Sequence, residues 1–262
     1  MGRGVKPGCG LAAALLAAGL WSAAHAAEPL VAAASDVQFA LEEIADAYAK
    51  AGGGAVRLAL GSSGNFARQI RQGAPFELFL SADEDYALAL ARDGFARGPG
   101  ALYAQGRIAL LVPLGSPLKP DGTLADLKAA LRDGRVRKFA IADPEHAPYG
   151  RAAEQALRRA GLWEQIRPLL VLGENVSQAA QFAASGNAEG GIVAYSLALA
   201  PRLKERTGHA LIPEDRHAPL RQRMVLLRNA GPAAERFFAY LQSPPARAIF
   251  RRHGFALPGE GG

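Results

Sequence analysis

Residues 30–65 read LVAAASDVQFALEEIADAYAKAGGGAVRLALGSSGN, and their pattern decides the fold class. Leu30 to Ala34 is a short apolar run and Ser35-Asp36 a polar break. Val37, Leu41, Ile44 and Tyr48 then fall at helical spacing up to Gly52-Gly53-Gly54. That is a strand, a polar loop, an amphipathic helix and a glycine stop. The unit begins again at once. Val56 to Leu60 is a second apolar run, followed by Gly61-Ser62-Ser63-Gly64-Asn65 and a helix carrying Phe66 and Ile70.

The same order returns further along. Phe139 to Ala142 leads through the polar stretch Asp143 to Gly150 into a helix that ends near Gly161. Leu169 to Leu172 leads through Gly173-Glu174-Asn175-Val176 into a helix with Ala179, Ala180 and Phe182, and Gly191 to Ala194 leads through Tyr195-Ser196 into Leu197 to Leu203. Ser81 with Glu84 and Asn175 with Gln178 have capping-box spacing, and Thr123 with Asp126 is a weaker version. Strands alternating with helices of this length predict parallel βαβ units and an α/β fold. A strand from Ile108 to Val112 follows a long excursion, and Pro113, Pro117 and Pro120 then break the pattern. A domain crossing is expected near Arg107, with a return near His217 to Leu220 before a strand from Met224 to Leu227. The expected division is therefore 27–107 plus 217–262 for one lobe and 108–216 for the other.

Of the 262 residues half are hydrophobic and 21% charged, which excludes a disordered chain. The 30 basic and 24 acidic residues give +6, spread without a block of like charge, so no nucleic-acid partner is expected. Residues 1–26 have the pattern of a secretory signal peptide. Arg3 and Lys6 make the positive start, Leu11 to Trp21 the apolar run, and Ala24-His25-Ala26 the small-x-small cleavage site. Cys9, the only cysteine, falls inside that segment, so the mature chain is expected to lack disulfides, zinc–cysteine sites and a cysteine nucleophile. The expected location is the periplasm. No sustained heptads appear, and a monomer is expected.

In open α/β sheets ligands bind beyond the carboxyl ends of the strands. Those ends carry Ser35, Ser62, Ser63, Asn65, Tyr149, Asn175 and Tyr195. Each loop also opens a helix whose first N–H groups lack internal partners and whose dipole favours an anion. Several such starts converging would form a cage of uncharged donors. The same residue types also cap helices, so for Ser35 and Asn175 the cap and ligand readings both stand. Asp36 reads more readily as a cap, since its carboxylate would repel an anion.

Ala32-Ala33-Ala34-Ser35, Gly61-Ser62-Ser63-Gly64, Ala67-Arg68-Gln69-Ile70, Gly73-Ala74-Pro75, Phe79-Leu80-Ser81-Ala82-Asp83, Asp143-Pro144-Glu145-His146, Gly191-Ile192-Val193 and Ile249 to Phe255 follow one another in an order that resembles the periplasmic molybdate-binding proteins of ABC transporters. The likeness runs in register from Leu30 to Phe255. It implies a two-lobed type II periplasmic binding-protein fold, with a ligand cleft between lobes joined by two crossing segments. It implies molybdate or tungstate held by hydroxyl and backbone N–H groups, an inner-membrane permease as partner, and no cofactor or protein-ligated cation. Carried over residue by residue, the ligand positions fall on Ser35, on the Ser62-Ser63 pair with Ser63 favoured, on Tyr149, and on Val176 through its N–H, with the Asp36 backbone less firmly placed. Family members with tyrosine directly after Gly-Ile-Val use it on the ligand. Here Ala194 intervenes, and a one-residue shift on a strand reverses the face, so Tyr195 stands as a core, rim or ligand residue. A carboxylate beside Ser35 is a second departure, more natural for a protonated anion such as hydrogen phosphate.

An enzyme is the competing class. Asn65 stands where a Gly-x-Ser-x-Gly elbow needs its last glycine. His146, His209, His217 and His253 fall in no recognisable catalytic signature, and His-Glu-x-x-His spacing is absent. A non-catalytic binding protein is the expectation. The alternatives are a binder of sulfate, phosphate or an organic anion, and a secreted serine-dependent hydrolase.

Overall fold

The computed structural model describes residues 1–2 and 28–259. Apart from Met1 and Gly2, the expected signal peptide over 1–26, with Cys9, lies outside the described residues. The strands are β1 (Leu30–Ala34), β2 (Arg57–Gly61), β3 (Leu78–Ser81), β4 (Ala101–Gly106), β5 (Ile108–Pro113), β6 (Phe139–Ala142), β7 (Leu170–Gly173), β8 (Gly190–Ala194), β9 (Thr207–Leu211) and β10 (Leu220–Leu226). The helices between them are α1 (Gln38–Lys50), α2 (Ser63–Arg71), α3 (Glu84–Arg92), α4 (Ala125–Arg132), α5 (Pro148–Arg159), α6 (Trp163–Ile166), α7 (Val176–Ala184), α8 (Tyr195–Ala198) and α9 (Pro201–Lys204). After β10 come α10 (Pro232–Leu241) and α11 (Pro244–Arg252).

Two five-stranded sheets result, ordered β2-β1-β3-β10-β4 and β7-β6-β8-β5-β9. Each is mixed rather than purely parallel. In the first, β1 runs parallel to β2 and β3, but β10 is antiparallel to β3 and β4. In the second, β6 is parallel to β7 and β8, whereas β5 is antiparallel to β8 and β9. The antiparallel strands are those at which the chain changes sheet. β4 ends at Gly106 and β5 starts at Ile108, and β9 ends at Leu211 before β10 opens at Leu220. A strand arriving from the other lobe has no helical crossover to turn it parallel.

Alternation along the strands fills the cores. Val31 and Ala33 of β1 face one way, with Leu41, Ile44, Phe237 and Phe250; Ala32 faces the other, with Phe66, Ile70, Phe79 and Leu90. Both faces are thus covered by helices, and each large side chain so buried contributes about 1.5–3 kcal/mol. The second lobe packs Leu110, Phe139, Ile141, Leu157 and Ile192 around its own sheet. β10 starts four residues earlier than its apolar run alone suggests, because Leu220, Gln222 and Met224 point inward while Arg221 and Arg223 point out. The capping expectations hold only in part. Asn175 Oδ1 accepts the Gln178 N–H (3.1 Å), but Asp83 and not Ser81 caps α3, and Asp121 takes the N–H groups of Thr123, Ala125 and Asp126.

Candidate functional site

The sheets' carboxyl ends face each other, and four helix starts meet there. β1 runs directly into a 3-10 turn over Ser35–Val37, β2 into α2, the loop after β6 into α5, and the loop after β7 into α7. Bonds across the gap hold the loops together. Ser177 N–H donates to Ser35 Oγ (3.3 Å), and Ser177 Oγ donates to Ser35 O (3.0 Å). Gly64 N–H donates to His146 O (3.0 Å), and Ser196 Oγ donates to Asp36 O (2.7 Å). Arg151 on α5 reaches Asp83 Oδ2 at 2.5 Å and donates to the Tyr86 hydroxyl at 3.0 Å.

Between them lies a small cavity of about 10 Å³, lined by Ser35, Asp36, Ser62, Ser63, Tyr149 and Val176 with small residues around them. Pockets for drug-sized ligands run to about 300 Å³ and more, so this space excludes ligands of that size. A larger groove, lined by Gln181, Ser185, Leu203 and Arg206, is open to solvent and made of residues outside these loops. None of the residues lining the small cavity is Lys or Arg. No group of three His, Cys, Asp or Glu among the described residues is arranged to hold a metal ion.

Much of the donor capacity is already spent, and what remains has a definite position. In α2 the Ser62 Oγ accepts from Asn65 N, and in α7 Asn175 and Ser35 take the N–H groups of Gln178 and Ser177. The N–H groups of Ser63 and Val176, at the first positions of α2 and α7, cannot be satisfied within a helix. In α5 Pro148 occupies the first position and has no N–H, which makes Tyr149 the first donor there. The hydroxyls separate in the same way. Ser35 and Ser63 each accept a backbone N–H, Ser63 from Ala82 at 3.0 Å, and each keeps its own proton to give. Ser62 shares a hydrogen with His146 Nδ1 at 3.0 Å, while His146 Nε2 lies 3.5 Å from Asp143 Oδ2.

Tyr149 lines the cavity, but its hydroxyl donates to Asp36 Oδ2 at 2.9 Å. Gln222 Nε2 donates to the same oxygen at 2.6 Å and to Tyr149 Oη at 3.1 Å. Burial raises the Asp36 carboxyl to about 7, against the smaller lowering effect of the Gln222 and Tyr149 hydrogen bonds and of the Asp36 and Val37 backbone. Burial and then the nearby Asp36 charge push the Tyr149 phenol well above its ordinary range. Gly106 makes the triangle possible, because a Cβ there would meet Tyr149 Oη at 2.2 Å and Gln222 Nε2 at 2.9 Å.

Tyr195 stands outside this group. Its backbone N–H bonds Arg107 O at 2.9 Å, and its ring lies 5.7 Å from His209 and 4.9 Å under the Arg107 guanidinium. Its position just after β8, one residue past Ala194, turns it to the rim. Gln222, Ser177 and Ser196 were not singled out from the sequence. Gln222 left a signal, a polar residue on the inward side of an alternating strand. Ser177 and Ser196 left none, since each is one serine in the first turn of a helix.

Two sheets joined by two crossings, with a small cavity of hydroxyl and amide donors at their junction, define a two-lobed binding protein for a small anion. Residues 29–256 match the model of the bacterial extracellular solute-binding proteins, and the chain belongs to that family. It is 36% identical over 249 residues, covering 94% of this chain and 95% of its relative, to the molybdate-binding protein ModA of Rhodobacter capsulatus. To the protein of the same name from Azotobacter vinelandii it is 37% identical over 246 residues, 92% of this chain and 95% of that one. The solved structure of the Azotobacter vinelandii periplasmic molybdate-binding protein superposes with a TM-score of 0.78 at 33% identity, covering 88% of this chain and all of that one.

Proposed function

We propose that this chain captures molybdate outside the cytoplasm and delivers it to the permease of an ABC transporter. It works by binding and performs no catalysis. Tungstate, of the same shape and charge, is bound as well. The observation that carries this reading is the small cavity of uncharged donors with neither Lys nor Arg on its wall. Moving an unpaired ion into a dry interior costs on the order of tens of kcal/mol, so a dianion enters only where donors surround it. The free hydroxyl protons of Ser35 and Ser63 and the N–H groups of Ser63, Tyr149 and Val176 supply that surround. Ser62, committed to His146, supports the wall. Residues 27–107 with 217–262 form one lobe and 108–216 the other, and they hinge at the two crossings. The protein acts as a monomer and needs no nucleic acid.

Thermal unfolding with molybdate, tungstate, sulfate, phosphate and chromate tests the proposal. Stabilisation at 100 times the dissociation constant is about 2.7 kcal/mol, a shift easily resolved. Molybdate and tungstate should raise the midpoint at the lowest concentrations. A protein unmoved by both, or moved more by sulfate, refutes the proposed ligand.

A further inference from the structure

Asp36 is the odd member of the cavity, a carboxyl group in a place built to receive negative charge. It is 1% exposed. Its Oδ2 takes the Tyr149 hydroxyl proton and one Gln222 Nε2 hydrogen, and the Nε2 group also reaches Tyr149 Oη. The donors of this triangle are therefore all used on one side of the carboxyl. Oδ1 is buried without a partner at hydrogen-bond geometry, the Asp36 and Val37 N–H groups lying near enough to lower the carboxyl without meeting that geometry. An acceptor left so is costly by itself. Set beside an anion it is costlier, because two like charges in one dry site cannot both persist.

No nearby cation offers relief. The titratable groups turned toward Asp36 are Tyr149 from α5 and Tyr103 from β4, both buried and neutral. His146 faces the cavity only through Ser62. Arg221 and Arg223 on β10 pair with Glu84. On α8, Tyr195 turns to His209; α7 carries no titratable residue. On α1, Glu42 is exposed and Glu43 pairs with Arg252.

A proton on Oδ1 removes both conflicts at the carboxyl. It neutralises the carboxyl, turns the orphan acceptor into a donor, and gives the guest one more hydrogen bond. We infer that Asp36 is a specificity-determining residue of the anion site proposed above, holding on Oδ1 a proton that it shares with an oxygen of the bound oxyanion. Capture of a dianion by the ionised form then takes up one proton from solvent, and charge balances as carboxylate plus proton plus dianion become carboxylic acid and bound dianion.

The inference rests on the anion-binding reading and makes a claim that reading does not. With the lobes closed and no guest, burial, offset in part by its hydrogen bonds, places the carboxyl near 7. A neighbouring dianion moves it only upward. Where free Asp36 already carries the proton, affinity is flat with pH; where it is ionised when free and protonated when bound, each unit weakens binding about tenfold, with one proton absorbed.

The experiment is calorimetric titration of the full mature chain with sodium molybdate between about pH 6 and 9, repeated at each pH in buffers of different ionisation enthalpy to count protons. Proton uptake should approach one at the alkaline end of that range. In Asp36→Asn, whose amide can donate from the Oδ1 side without titrating, uptake should vanish and the affinity profile flatten. Zero uptake by the parent at every pH, with molybdate bound, overturns the inference and leaves the function intact. Equal uptake in Asp36→Asn also overturns it and assigns the proton to another group. If the variant fails to fold, the parent's buffer series decides alone. Absence of molybdate binding by the parent at every pH overturns the function and this inference together.

Discussion

Gly64→Ala separates the closed, liganded protein from the free one. Gly64 is the second residue of α2, in the first lobe, and its N–H donates to His146 O across the cleft at 3.0 Å. A Cβ at this position would lie 2.6 Å from His146 O, 3.0 Å from His146 Cα and 2.8 Å from the Tyr86 hydroxyl. Ordinary contact begins at 3.4 Å, so the His146 backbone would have to retreat by 3.4 − 2.6 = 0.8 Å. That displacement stretches the Gly64–His146 hydrogen bond beyond its working range. Losing the bond costs about 0.5–1.5 kcal/mol, and forcing the extra carbon into packed surroundings costs about 1–3 kcal/mol. The sum corresponds to a loss of affinity of roughly tenfold to a thousandfold. With the lobes apart nothing is crowded, and alanine is up to about 1 kcal/mol better than glycine inside a helix. Calorimetric titration with molybdate and urea unfolding of the free protein should therefore move in opposite directions. A variant that binds within twofold of the parent refutes the idea that the ligand is held only when these surfaces meet. A free protein destabilised by more than about 1 kcal/mol refutes it differently, by showing that the contact exists without ligand.

Ser35→Ala and Ser63→Ala should each weaken molybdate binding by about 1.5–3 kcal/mol, the range for hydrogen bonds to charged groups, as read by calorimetry. Parent-like affinity in both variants removes these hydroxyls from the site. Gly106→Ala places a carbon against Tyr149 Oη and Gln222 Nε2, and should lower stability by about 1–3 kcal/mol in urea titration. Asp36 also links the stability of the closed protein to pH. Its folded value of about 7 exceeds the unfolded 3.8, so the folded state binds the extra proton and stability falls as pH rises between the two. The loss is at most about 4 kcal/mol, of which about 3 falls between pH 5 and 8, and the difference between parent and Asp36→Asn in urea midpoints at those two pH values reads that part. Arg151→Ala cuts a half-exposed clasp to Asp83 and Tyr86, and should weaken binding no more than about fivefold in the same titration.

The fold was legible because its signals are local. The run Leu30–Ala34, the helical spacing of Leu41, Ile44 and Tyr48, and the glycines after them lie within a few turns of chain, and each element forms where that pattern puts it. Strand direction is a different kind of fact. Nothing in Ile108–Val112 says whether its neighbours run with it or against it; that follows from the chain's passing between sheets at Arg107 without an intervening helix. β4 is not legible in the sequence for a related reason. Its residues, ALYAQG, alternate weakly and acquire their place by pairing with β10 more than a hundred residues later.

The cavity divides along the same line. Serines after strands are visible in sequence, and Ser35, Ser62 and Ser63 all line the space between the lobes. Which of them keeps a proton for a guest depends on partners that spacing does not reveal. Ser62 and Ser63 are adjacent, yet one meets a histidine 84 residues away and the other a backbone amide 19 residues away. Tyr149 shows the limit most sharply. Its place beside the cavity follows from the loop after β6, but the direction of its hydroxyl is set by Asp36, 113 residues earlier, and by Gln222, 73 residues later. A hydroxyl so committed cannot also face an anion unless the carboxyl changes state. The chemistry of the site thus turns on a three-residue contact whose members look unremarkable one at a time. Gln222 alone hinted at it, since an amide on the buried side of an alternating strand demands a polar partner inside.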